Sequence, residues 1–120
     1  MKLVSISGIT CFVKDTAKTA EFYEKLGFIV THKDEDMVTI RLNWFWMNFV
    51  ATEKREYKAG TVSVGQHVYV TVDNVDEVYE SLTAKGIEFT AEPQDYPSGK
   101  REAMVLDPDD YPIVFFTKKK

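Results

Sequence analysis

The chain contains one cysteine, Cys11, and two histidines, His32 and His67, in 120 residues. A lone cysteine excludes an intramolecular disulfide and a Cys-rich metal centre, and its plain role is that of a small apolar core residue. Basic charge is never massed: the longest run is Lys118-Lys119-Lys120 and the formal net charge is -4, so nucleic acid is not expected as a partner. No apolar stretch approaches the roughly 18 residues that span a bilayer, and Met1 to Ile9 lacks the apolar centre of a secretory signal. No membrane contact and a cytoplasmic location are the expectations. Gly-rich phosphate loops, a GxSxG elbow and an HExxH helix are absent as well, which removes the standard catalytic signatures.

What the chain does have is apolar and aromatic mass. Hydrophobic residues make up 44%, including eight Phe, six Tyr and two Trp, enough to build a core in a chain of this length. The most informative pattern is an internal repeat. Val13-Lys14-Asp15 precedes a helical pattern ending at Gly27, and Val72-Asp73-Asn74 precedes one ending at Gly86, with the same spacing throughout and no gap. Asp15 and Asn74 are suited to accept hydrogen bonds from the free N–H groups of a first helical turn. Ala17, Ala20, Tyr23 and Leu26, then Val75, Val78, Tyr79 and Leu82, recur at three and four and give each helix an apolar stripe.

Three β-like stretches follow each glycine: Phe28 to Lys33, Met37 to Leu42 and Phe45 to Thr52, then Glu88 to Ala91, Arg101 to Leu106 and Ile113 to Thr117. Asp34-Glu35-Asp36, Asn43, Pro97-Ser98-Gly99 and Asp107-Pro108-Asp109-Asp110 mark the turns. The expected organisation is one domain over 1–120, with unit one at about 1–53, a polar link at about 54–65 and unit two at about 66–120.

Phe22-Tyr23-Glu24-Lys25-Leu26-Gly27-Phe28, Gln94-Asp95-Tyr96-Pro97-Ser98-Gly99 and Asp107-Pro108-Asp109-Asp110-Tyr111 together resemble the vicinal oxygen chelate family of glyoxalase I, extradiol dioxygenases and bleomycin-resistance proteins. The resemblance implies an α+β fold of two tandem βαβββ units, forming a concave half-barrel sheet with helices outside and a ligand cleft inside. It also implies four metal-ligand positions, which fall here on Gly8, Asn48, His67 and Val114. Only His67 has a strong donor; Asn48 offers a weak amide, and Gly8 and Val114 offer none. No metal and no other cofactor is therefore expected.

Strand alternation assigns the remaining side chains to faces. With His67 on the cleft side go Tyr69 and Thr71, while Val68, Val70 and Val72 face the helices. Asn48 takes Trp44 and Trp46 with it and leaves Phe45, Met47 and Phe49 for the helix side. Val38, Ile40 and Leu42 form a covered set, leaving Thr39 and Arg41 open. Arg41, Trp44, Trp46, Asn48, His67, Tyr69 and Phe116 are thus the candidate ligand-binding residues, flat rings with a few directional polar groups. The expected function is metal-independent binding of a planar or aromatic small molecule, as in the bleomycin-resistance branch. An enzyme with His67 as acid or base is the competing class, and a protein-interaction module is a third. A homodimer is expected, to cover the exposed edges and aromatic face.

Overall fold

In the computed structural model, which describes residues 1–52 and 67–118, each half of the chain opens on a strand running into a capped helix. The link expected over 54–65 lies outside the described residues. These residues fall into two units, one holding everything up to Thr52 and the other everything from His67 onward.

Unit one consists of β1 (Gly8–Val13), α1 (Thr16–Leu26), β2 (Ile29–Lys33), β3 (Met37–Leu42) and β4 (Phe45–Ala51). The Asp15 side chain accepts from the N–H groups of Ala17 and Lys18, and Gly27, at φ 103°, supplies the left-handed turn that stops α1. The sheet order is β1-β4-β3-β2, with β1 parallel to β4 and the other pairs antiparallel. Unit two repeats this with β5 (Val68–Thr71), α2 (Val75–Ala84), β6 (Gln94–Asp95), β7 (Lys100–Leu106) and β8 (Pro112–Lys118), in the order β5-β8-β7-β6. The result is an α+β fold of two βαβββ units, whose strands form two four-stranded sheets. Among the described residues, no helix is long and apolar enough to cross a membrane.

The helix-facing side of the first sheet is the core of unit one. Val13, Val38, Ile40, Met47 and Phe49 are buried, and the Tyr23 ring of α1 stacks on Phe49 with centroids 4.7 Å apart. The stripe that α1 buries is Thr16, Thr19, Ala20 and Tyr23; Ala17, expected inside, is exposed. Hydropathy alone misplaces the stripe because both threonines satisfy their hydroxyls on backbone carbonyls. Thr16 Oγ1 donates to the Asp34 carbonyl at 2.9 Å and Thr19 Oγ1 to the Asp15 carbonyl at 3.1 Å. Leu42, expected in the covered set, is 45% exposed, since it sits at the hairpin end beyond the part of the sheet that α1 covers.

Unit two buries Val75 and Leu82 of α2 together with Ala103, Val105, Ile113, Val114 and Phe115; β7 alternates about Met104, while β8 is buried continuously across Ile113–Phe115. The Thr117 hydroxyl accepts from the Val75 N–H, joining β8 to the start of α2. Arg101 grips Asp76 of α2 with two bonds of 2.9 Å and reaches Asp95 at 3.3 Å. The strand expected at Glu88 to Ala91 is reduced to one bridge, Phe89 to Val105, and regular pairing resumes only at Gln94–Asp95. Pro93, which has no N–H to give a ladder, lies between the two pieces. The Asp107 turn is held from inside: its buried carboxylate accepts from the N–H groups of Asp109 and Tyr111 at 2.8 and 2.9 Å.

Phe49→Ala removes the ring beneath Tyr23 and is expected to cost about 3–5 kcal/mol in urea unfolding, the usual range for a fully buried phenylalanine. Asp34 generates a pH prediction. Its carboxylate accepts from the N–H groups of Met37 and Asp36 and pairs with His32 Nε2 at 2.8 Å, contacts that hold its pKa below the ordinary value. A carboxyl lowered on folding contributes stability above its unfolded pKa and loses it as pH falls through the folded one. Asp34→Asn should therefore narrow its stability gap to the parent chain as pH drops below about 4, measured by thermal melts across the acid limb.

Candidate functional site

On the face of the first sheet away from α1, hydrogen-bond register aligns the side chains in rows. Gly8 of β1 pairs with Trp46 of β4, which pairs with Arg41 of β3; the next row is Thr10, Asn48 and Thr39. The Trp46 ring lies over Gly8 so closely that a Cβ built there would overlap Trp46 Cδ2 and Cε3 and crowd the Trp46 carbonyl oxygen. Glycine is thus a seat for the indole, and Trp46 remains 38% exposed. Arg41 is exposed, and its Nε donates to the Asn43 carbonyl at 3.0 Å in a hairpin loop where Asn43 has φ 60°. The Thr39 hydroxyl donates to Asn48 Oδ1 at 2.7 Å. Trp44, 61% exposed, lies in the hairpin loop just before β4. Arg41, Trp46 and Asn48 are thus neighbours on one face, with Trp44 at its end.

In unit two the corresponding face of β5, β7 and β8 forms an open hollow of about 230 Å³, with His67, Tyr69, Glu92, Tyr96, Glu102 and Met104 in its lining. Tyr69 stands edge-on to Phe116, with centroids 5.9 Å apart, and His67 is the next ring along at 6.4 Å. Lys100 Nζ sits 5.7 Å from the Tyr69 centroid and 5.4 Å from that of Phe116, within cation–π range of both. His67, Tyr69 and Phe116 are therefore grouped in this unit.

The four positions at which the family resemblance puts metal ligands do not supply a donor set. Gly8 is covered by an indole, Val114 is 2% exposed and has no donor atom, and the Asn48 carbonyl oxygen already accepts from Thr39. Among the described residues, no group of three or more His, Cys, Asp or Glu is placed to hold a metal ion. Zinc, manganese or iron sites need three or four such ligands.

Sequence reasoning missed Lys100, Glu92, Tyr96, Glu102 and Met104. Glu102 and Met104 were within reach of parity, because they alternate with buried Ala103 and Val105 along β7. Glu92 and Tyr96 flank the broken β6 segment, where no period exists to assign a face.

The chain belongs to the Glyoxalase/Bleomycin resistance protein/Dioxygenase superfamily, whose family model matches residues 5–115. It is similar to the uncharacterized protein YwkD of Bacillus subtilis, 29% identical over 127 aligned positions that cover 97% of this chain and 98% of that one. Among solved structures, a glyoxalase/bleomycin resistance protein/dioxygenase from Nocardioides superimposes with a TM-score of 0.81 at 21% identity, covering 100% of this chain and 87% of the other. A lactoylglutathione lyase from Agrobacterium tumefaciens does so with a TM-score of 0.78 at 18% identity, covering 98% and 96%. At these identities the structures establish a shared fold.

Gly8→Ala tests the indole seat. The added methyl must displace Trp46, so it should lower stability by about 1–3 kcal/mol and shift the tryptophan emission. With Trp46→Ala already in place the indole overlap is gone and only the crowding against the residue-46 carbonyl remains, so the same change should cost less, and equal costs in the two backgrounds, read from urea unfolding, would contradict the seat.

Proposed function

We propose that the protein is a metal-independent binding protein for a small planar ligand, with Trp46 as its stacking surface. The observation that carries this reading is the Gly8–Trp46 pair: where the family resemblance calls for a metal-binding side chain, the chain has a glycine with an indole laid across it. Such a seat holds the ring at one angle before a ligand arrives, which reduces the entropy lost on binding. Arg41 and Asn48 give that face directional polar groups. In unit two, Tyr69, Phe116 and His67 offer further ring surface.

A second reading is favoured by the hollow of unit two, where His67 shares a lining with Tyr69, Glu92 and Glu102. An imidazole among carboxylates and phenols is equipped for acid–base chemistry, and the lactoylglutathione lyase neighbour keeps an enzyme in view.

Binding of planar aromatic compounds is expected to quench tryptophan fluorescence and to survive dialysis against chelator. Trp46→Ala should weaken it by about 1 kcal/mol or more. One equivalent of zinc, nickel, manganese or iron retained through dialysis, by elemental analysis, would overturn metal independence. His67→Ala separates the two readings: turnover abolished with binding intact would put the enzyme first.

A further inference from the structure

We propose that the first unit's open face selects planar ligands bearing an acceptor oxygen, an aromatic carboxylate in the simplest case. This rests on the reading of Trp46 as a stacking surface and adds the chemical class of what stacks there.

The inference comes from which ends of the polar groups remain available. The Thr39 hydroxyl donates to Asn48 Oδ1, so the amide is turned with its oxygen engaged and its Nδ2 donors left to face a ligand. Among the described residues, Asn48 Nδ2 has no partner. Arg41 Nε is held by the Asn43 carbonyl, which anchors the guanidinium, and the terminal nitrogens have no carboxylate partner among the described residues. Arg41 pairs directly with Trp46 across the β3–β4 ladder, and Asn48 is two residues along the same strand as Trp46. Cross-strand and next-but-one neighbours on one sheet face stand close enough to contact a single small ring.

Charge supports the assignment. The chain is acidic overall, yet the open-face positions of β1, β3 and β4 include no Asp or Glu; the acidic residues of unit one lie on α1 and in the loops. An aromatic ring on Trp46 would therefore meet one fixed cation and two amide N–H donors at its rim, with no anion opposing a carboxylate. Arginine forks match carboxylates in geometry, and such charge-assisted bonds are stronger than neutral ones. An ammonium group at the same place would face only donors and the Arg41 charge.

The test compares naphthoate with naphthylmethylamine, the same ring with opposite charge, by heteronuclear NMR on the full chain. The signals followed are the Trp46 indole N–H and the Asn48 side-chain NH₂, identified with Trp46→Phe and Asn48→Asp. Naphthoate should move both saturably, with a Kd about tenfold below that of the amine. Arg41→Gln, a change at an exposed side chain, should remove most of that difference, and Asn48→Asp should reverse it. If the amine binds as well as naphthoate or better, with Trp46 shifting for both, the acceptor class is wrong while the planar-ligand reading stands. If neither probe moves Trp46, the stacking reading fails and takes this inference with it.

Discussion

The parallel pairing of the first and last strand in each unit is the constraint from which the other features follow. A parallel pair needs a long crossover, and in both units a capped helix supplies its start while covering one side of the sheet. Once β1 is registered on β4, period-two alternation leaves little freedom. Val13, Met47 and Phe49 must go beneath α1, and Gly8, Trp46 and Asn48 must go to the other side. A slip of one residue would exchange the two sets and put an indole into the core.

The two units use one topology for different chemistry. In unit one the open face carries an indole, a guanidinium and an amide, donors without a carboxylate. In unit two the equivalent strands and the segments beside them present phenol, imidazole and two glutamates, with the lysine that accompanies them held over aromatic rings. The difference lies wholly in the outward positions. The buried inward ones stay apolar in both halves, and the polar inward residues of unit two, Arg101 and Thr117, are bonded to α2.

Much of this was legible in the sequence because its causes are local. Asp15 and Asn74 announce helix starts through side-chain acceptors, Gly27 announces a stop, and alternation matches burial from Phe45 to Phe49, after which Val50 and Ala51 are both buried. The failures arise where hydrogen bonding and sheet extent override residue-by-residue hydropathy. Thr16 and Thr19 are buried by virtue of hydroxyl bonds that hydropathy does not register, and the stretch from Glu88 to Ala91 keeps one bridge, with Pro93 between it and the pairing at Gln94–Asp95. Leu42 shows the limit of parity, which names a face without saying how far along the strand cover extends. The indole seat was legible only as two separate oddities, a glycine at a ligand position and a tryptophan on the same face; their contact depends on register across some forty residues of chain, which no local pattern encodes.

The Gly8–Trp46 contact also bears on how this chain can change over evolutionary time. A metal-binding side chain arising at position 8 collides with the indole, and loss of the indole first leaves bare backbone where a ring had been. The effect of a side chain at position 8 is thus conditional on the residue at 46, and even without the indole it requires the residue-46 carbonyl to shift. Two residues in contact in this way constrain each other's replacement, so the strand's aromatic surface and the glycine beneath it are coupled.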